Sequence, residues 1–154
     1  MTGLTGPHIH GGPVFAQFGE AGSFPYVWPE RTTSKVYLAG NRFDTASRSL
    51  GRGLDGQLVL TPPGPPFGMP GGMLSVSVNP TAAGGGMLFA SVARHTDRAR
   101  GLLRAFDPFT LRELWNDAGE NYRFVKFVAP TITDGKAFLP TAGPSNKVLV
   151  YSPR

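Results

Sequence analysis

The chain of 154 residues predicts an all-β fold of short antiparallel sheets, on three observations. Short apolar runs rich in Val, Leu, Phe and Tyr recur along its length, the composition of strands packed on their faces. Turn formers separate them, among them Asp134 with Gly135, Gly84 to Gly86, and Pro144, Ser145 and Asn146. No useful window holds the 3.6-residue period of an amphipathic helix. The 21 glycines and 15 prolines exceed ordinary usage, yet they stand between the apolar runs and form no low-complexity tract.

In chain order, strands are expected at residues 12–18, 24–28 and 35–39, with a fourth at 42–44 or 57–60. A second set falls at 72–78, 86–92, 101–106 and 112–115, and a third at 128–133, 136–139 and 147–151 with no fourth member. Recurrence of one strand-turn-strand unit is a weak internal repeat, and each unit reads as a four-stranded antiparallel sheet. Residues 40–67, rich in Gly, Pro and Arg, read as a long insertion between the first two units. The clearest element is the hairpin over 101–115. Leu102, Leu103, Ala105 and Phe106 form its first arm and Leu114 and Trp115 its second. Between them Asp107 bonds backbone ahead of it and Pro108 presets φ.

Ala105, Asp107, Thr110 and Trp115 stand at the spacing of the pattern Ala-x-Asp-x-x-Thr-Gly-x-x-x-Trp, with Leu111 in place of the glycine. In this the chain resembles the pyrroloquinoline quinone repeat of quinoprotein-like propellers. The likeness runs from residues 8–15 to 148–151 and is weakest over 40–67. It implies that residues 1–154 are a partial β-propeller of the quinoprotein alcohol dehydrogenase type, with two four-stranded antiparallel blades and most of a third. A propeller ring takes at least four blades. The resemblance therefore implies a C-terminal piece of a larger protein, periplasmic or secreted in a bacterium. Its partners would be the remaining blades or other copies of the chain. It also implies that Trp115 is buried against a neighbouring blade.

Quinone enzymes of this kind hold the cofactor over the propeller axis with calcium, an aspartate base, a stacking tryptophan and often paired cysteines. This chain has no cysteine, and no acid-rich loop offers the six to eight oxygens calcium takes. Glu30, Asp107, Glu113 and Asp134 are accounted for by turns and strands. No cofactor is therefore expected in the chain, although pyrroloquinoline quinone remains open for a longer parent. The expected function is a non-catalytic scaffold or binding surface. The alternatives are a piece of a quinone-dependent dehydrogenase and a module binding polyanions or carbohydrate.

The remaining motifs are weaker. Gly51 to Gly56 spell G-x-G-x-x-G, but no strand enters and no helix leaves, so a flexible loop is the reading. His8 and His10 alternate and on a strand would share a face, where His95 could join them on a metal. Packing or hydrogen bonding at one end of the sheets is the preferred role for both. The net charge of +5 would suit an anionic partner. However, only Arg94, Arg98, Arg100 and Arg104 cluster, which makes nucleic acid an unfavoured partner. Residues 1–10 carry no basic and apolar leader pattern, and no apolar run is long enough for a membrane helix.

Overall fold

The computed structural model describes residues 10–18, 23–28, 30, 36–37, 43–44, 49–50, 58–59, 70–79, 85–94, 97, 99–143 and 146–152. Every regular element among them is a strand, and every pairing between strands is antiparallel. No helix of the described residues is long and apolar enough to cross a membrane.

The first sheet pairs β1 (Val14–Gln17) with β2 (Ser23–Tyr26). Beside β2 lies β3 (Val36–Tyr37), which pairs with β6 (Leu58–Val59). Between them β4 (Phe43–Asp44) and β5 (Ser49–Leu50) form a hairpin of their own. Of the two expected fourth strands, it is thus the segment near 57–60 that pairs with the third. The second sheet is complete, in the order β10 (Glu113–Asn116), β9 (Gly101–Phe106), β8 (Gly86–Ala93), β7 (Gly72–Val78). The third is β11 (Thr131–Thr133), β12 (Lys136–Pro140), β13 (Val148–Tyr151). Asp134 and Gly135 join β11 to β12 with φ of 49° and 67°. Two left-handed residues match a tight primed turn to the twist of the strands, as their Asp-Gly sequence predicts.

Side chains alternate between the faces of a strand, and here that alternation stacks the sheets in layers. Leu74, Leu88, Ala90, Val92 and Phe106 of the second sheet pack with Ala16, Phe18, Phe24, Tyr26 and Trp28 of the first. Leu103 and Phe89, on the opposite face of the second sheet, pack with Ile132, Ala137, Leu139 and Leu149 of the third. The first strands of the three sheets are neighbours, β1 beside β7 and β7 beside β11. Two glycines permit the close fit: a Cβ on Gly72 would lie 2.8 Å from Cδ2 of Trp28, and one on Gly101 would overlap the Tyr122 ring.

The β9–β10 turn repeats the sequence expectation in atomic detail. Asp107 Oδ1 accepts from Phe109 N–H at 3.0 Å, Thr110 N–H at 2.7 Å and Thr110 Oγ1 at 2.8 Å. Burial would raise the Asp107 pKa, but these hydrogen bonds outweigh it and hold the carboxyl below its ordinary value. Next in the chain, Leu111 adopts φ 54°, a backbone that glycine takes without strain, while its side chain is 2% exposed in the core between the first two sheets. The two effects oppose each other. Leu111→Gly would relieve about 1 kcal/mol of left-handed strain but forfeit about 3 kcal/mol of buried leucine. Urea unfolding should show a net loss of about 2 kcal/mol; a gain would mean that the turn, not the core, governs this position.

Candidate functional site

Where the first strands of the three sheets meet they leave an open groove of ≈ 540 Å³, lined by Val14, Phe15, Ser75, Val76, Thr131 and Ile132 together with Ala129 and Pro130. Its polar atoms come from two hydroxyl side chains and the backbone, and the Ser75 hydroxyl donates to Pro130 O. Among the described residues lining it, none carries a carboxylate, carboxamide or indole.

Near the entries to β1 and β11 stand His10 and Phe127. His10 Nε2 is 3.0 Å from Oε2 of Glu30, an acid only 5% exposed, and its ring is 6.0 Å from that of Phe127. Twenty residues separate the pair, which is why no carboxylate is visible beside His10 in the sequence. Phe127 has φ 65° and is 65% exposed. No group of three His, Cys, Asp or Glu suited to a metal occurs among the described residues. His8, His95 and the loop 51–56 lie outside them.

The described members of the arginine group are engaged with neighbours in the chain. Arg94 turns inward, donating from Nε to Gly101 O at 2.9 Å and from Nη2 to Ala118 O at 2.8 Å and Glu120 O at 2.6 Å. Arg100 pairs with Asp97 at 3.1 Å. Arg104 is buried, bonded through Nε to Glu113 Oε2 at 2.8 Å, with its guanidinium 4.8 Å from the Phe106 ring and 5.9 Å from that of Trp28. Arg98 is outside the described residues. An arginine in the middle of the apolar run 101–106, with Glu113 across the turn, is the sequence signal for this ion pair.

A second polar cluster joins the second and third sheets. Asp117 is buried at the end of β10, its Oδ1 accepting from Leu103 N–H at 2.7 Å and its Oδ2 from Tyr151 Oη at 2.6 Å. The buried Tyr122 hydroxyl lies near the same carboxylate without a standard hydrogen bond. Burial raises the Asp117 pKa despite these partners, and burial and the Asp117 charge raise both tyrosines. These groups tie the second and third sheets together.

Of the repeat residues, Ala105 is buried at 1% exposure and Asp107 and Thr110 build the turn. Trp115 requires a correction: it is 42% exposed and not buried between sheets. Its ring meets that of Tyr151 edge to face, centroids 5.3 Å apart, on β10, the outermost described strand of the second sheet. The buried tryptophan is Trp28, 2% exposed. Such an edge-to-face pair contributes about 0.5–1.5 kcal/mol, so Trp115→Ala should cost about 1 kcal/mol in denaturant unfolding. A loss above about 3 kcal/mol would restore the buried role.

Compared with family models, curated proteins and solved structures, the chain matches none.

Proposed function

We propose that the chain is a non-catalytic segment of a quinoprotein-like β-propeller, a scaffold whose outer faces dock further sheets. The observation that supports this reading is the stacking of three successive sheets face on face with their first strands adjacent. A propeller stacks successive sheets around an axis, and sheets stacked in this way support that reading. The outer face of the third sheet is apolar: Val148 and Val150 are 58% and 54% exposed there. Remaining blades of the same propeller or other copies of the chain would cover it. Pyrroloquinoline quinone, in a longer parent, would rely on residues other than those lining this groove.

Uncovered sheet faces and edges drive association. Light scattering of the isolated chain at rising concentration should therefore show mass above that of one copy, with a ring-like particle by small-angle scattering if copies close on one another. A monodisperse monomer with a sharp thermal transition at high concentration would count against the proposal.

A further inference from the structure

Two arginines stand directly opposite each other where the second sheet is joined to the third. Arg100 and Arg123 form an antiparallel bridge, bracketed by Gly101 N–H to Tyr122 O and Phe124 N–H to Ala99 O, each at 3.0 Å. Bonds made by the flanking residues mark the non-hydrogen-bonded position of an antiparallel ladder. There the Cα atoms approach to about 4.5 Å and the two side chains leave on one face at their closest. On its other side Arg123 bridges Ala142, whose N–H donates to Arg123 O at 3.1 Å. The segment carrying Arg123 is therefore held from both sheets, while both arginine side chains are exposed.

Only one of the two charges is answered. Asp97 Oδ2 takes Arg100 Nε at 3.1 Å, and its Oδ1 accepts from Ala99 N–H at 3.0 Å. Among the described residues the Arg123 guanidinium makes no hydrogen bond or ion pair, and that of Arg100 makes none beyond Asp97. Like charges directly opposite repel. The Arg123 stem is nonetheless seated, because it crosses bare backbone: Gly143 has φ 119°, and a Cβ there would lie 3.3 Å from Arg123 Cδ. We propose that Arg100 and Arg123 form a binding site for a tetrahedral oxyanion, a phosphate or sulfate group, held between the two guanidinium forks.

The donors select that class of ligand. A guanidinium presents its N–H groups in a planar fork that matches two oxygens of one anion. Two forks side by side offer more donors and more charge than a monovalent carboxylate can use. A tetrahedral dianion gives oxygens to each fork and one negative charge to each arginine. Its binding removes the repulsion across the bridge and fastens the entry to β9 to the segment bonded to Ala142. Arg94, whose N–H donates to Arg100 O, takes no part, since its guanidinium is occupied by three carbonyls. The site uses only contacts made between these two sheets, so it stands or falls apart from the scaffold reading.

The test is NMR titration of the full chain with sulfate, inorganic phosphate or glycerol phosphate, at constant ionic strength set by chloride. The Nε–H signals of Arg100 and Arg123 should shift together and saturate at one anion concentration, while that of Arg94 stays in place. Arg123→Gln should raise the half-saturating concentration about tenfold or more, through loss of charge-assisted bonds. Arg123→Lys should raise it less, because the charge remains and only the fork is lost. Lys136→Gln makes the same change in net charge at the start of β12 and should leave the titration unaltered. Arg100→Gln serves in place of Arg123→Gln if that variant does not fold. A response to the two inorganic ions alone assigns the site to a free oxyanion; a response to glycerol phosphate as well assigns it to a phosphate ester. In thermal melts sulfate should raise the midpoint of the unmodified chain by more than that of Arg123→Gln. The proposal is overturned by shifts that do not saturate, by equal shifts in acetate, or by Lys136→Gln weakening the titration as much as Arg123→Gln.

Discussion

Replacing Tyr26 by alanine should destabilise the chain by about 4 kcal/mol, within the range for emptying a large aromatic site in a packed core. Tyr26 has no exposed surface and sits in the layer between the first and second sheets. Its hydroxyl donates to Pro108 O at 3.1 Å, so one side chain fastens β2 to the turn between β9 and β10. Tyr26→Phe isolates that bond and should cost about 1 kcal/mol, since it leaves the carbonyl unsatisfied. Burial, with the Asp107 charge adding to it, pushes the phenol pKa far above its ordinary value. The folded chain therefore keeps this proton when an unfolded one would release it, and stability should decline as pH rises past about 10. Urea melts of both variants check the packing; an alanine loss below about 1.5 kcal/mol would mean that the two sheets are not tightly joined.

The second large effect is expected at Asp117. Asp117→Ala leaves Leu103 N–H and the Tyr151 hydroxyl without their acceptor, and at about 1–3 kcal/mol for each stranded buried donor the loss should be about 3 kcal/mol. Asparagine keeps one acceptor oxygen and should lose about 1 kcal/mol. The pH response separates charge from shape. Because the folded pKa is raised, the folded chain binds more protons than the unfolded one from about pH 4 up to that folded value, so stability should fall as pH rises through this interval. Asp107 acts oppositely: its lowered pKa contributes stability that is lost as pH drops below about 4. Asp117→Asn should remove the fall above pH 4 and leave the acid limb intact. A profile identical to that of the unmodified chain would show that the Asp117 carboxyl titrates alike in both states.

These two side chains also mark the boundary of what the sequence discloses. The strand 101–106, the Asp107 turn and the Asp-Gly hairpin are local: each is decided by residues a few places apart, and each was legible. The stacking of the sheets is decided by contacts between residues far apart in the chain, which no local pattern discloses. Asp117 looks like an ordinary acid after a strand; that it fastens two sheets depends on Tyr151, 34 residues away. The pairing of His10 with Glu30 is hidden for the same reason, and of the candidate site the sequence suggested His10 without its partner and the groove not at all. Trp115 failed in the opposite direction. Its type and spacing suggested burial, but burial needs a layer opposite, and among the described residues only Tyr151 of the third sheet is seen against its ring.

The second sheet is covered on both faces, whereas the first and third each meet it on one. Where a unit touches only its neighbours, stability is a sum of the units and the contacts between adjacent ones. The central unit therefore gains two contact terms and each flanking unit one. Its four strands also pair in chain order, β7 to β8 to β9 to β10, so most of its ladder forms from short loops at small entropic expense. The β7–β10 meander is the natural nucleus of folding, with the flanking sheets condensing onto it from either side. Damage at one end of the chain should then fray inward to this meander and stop there.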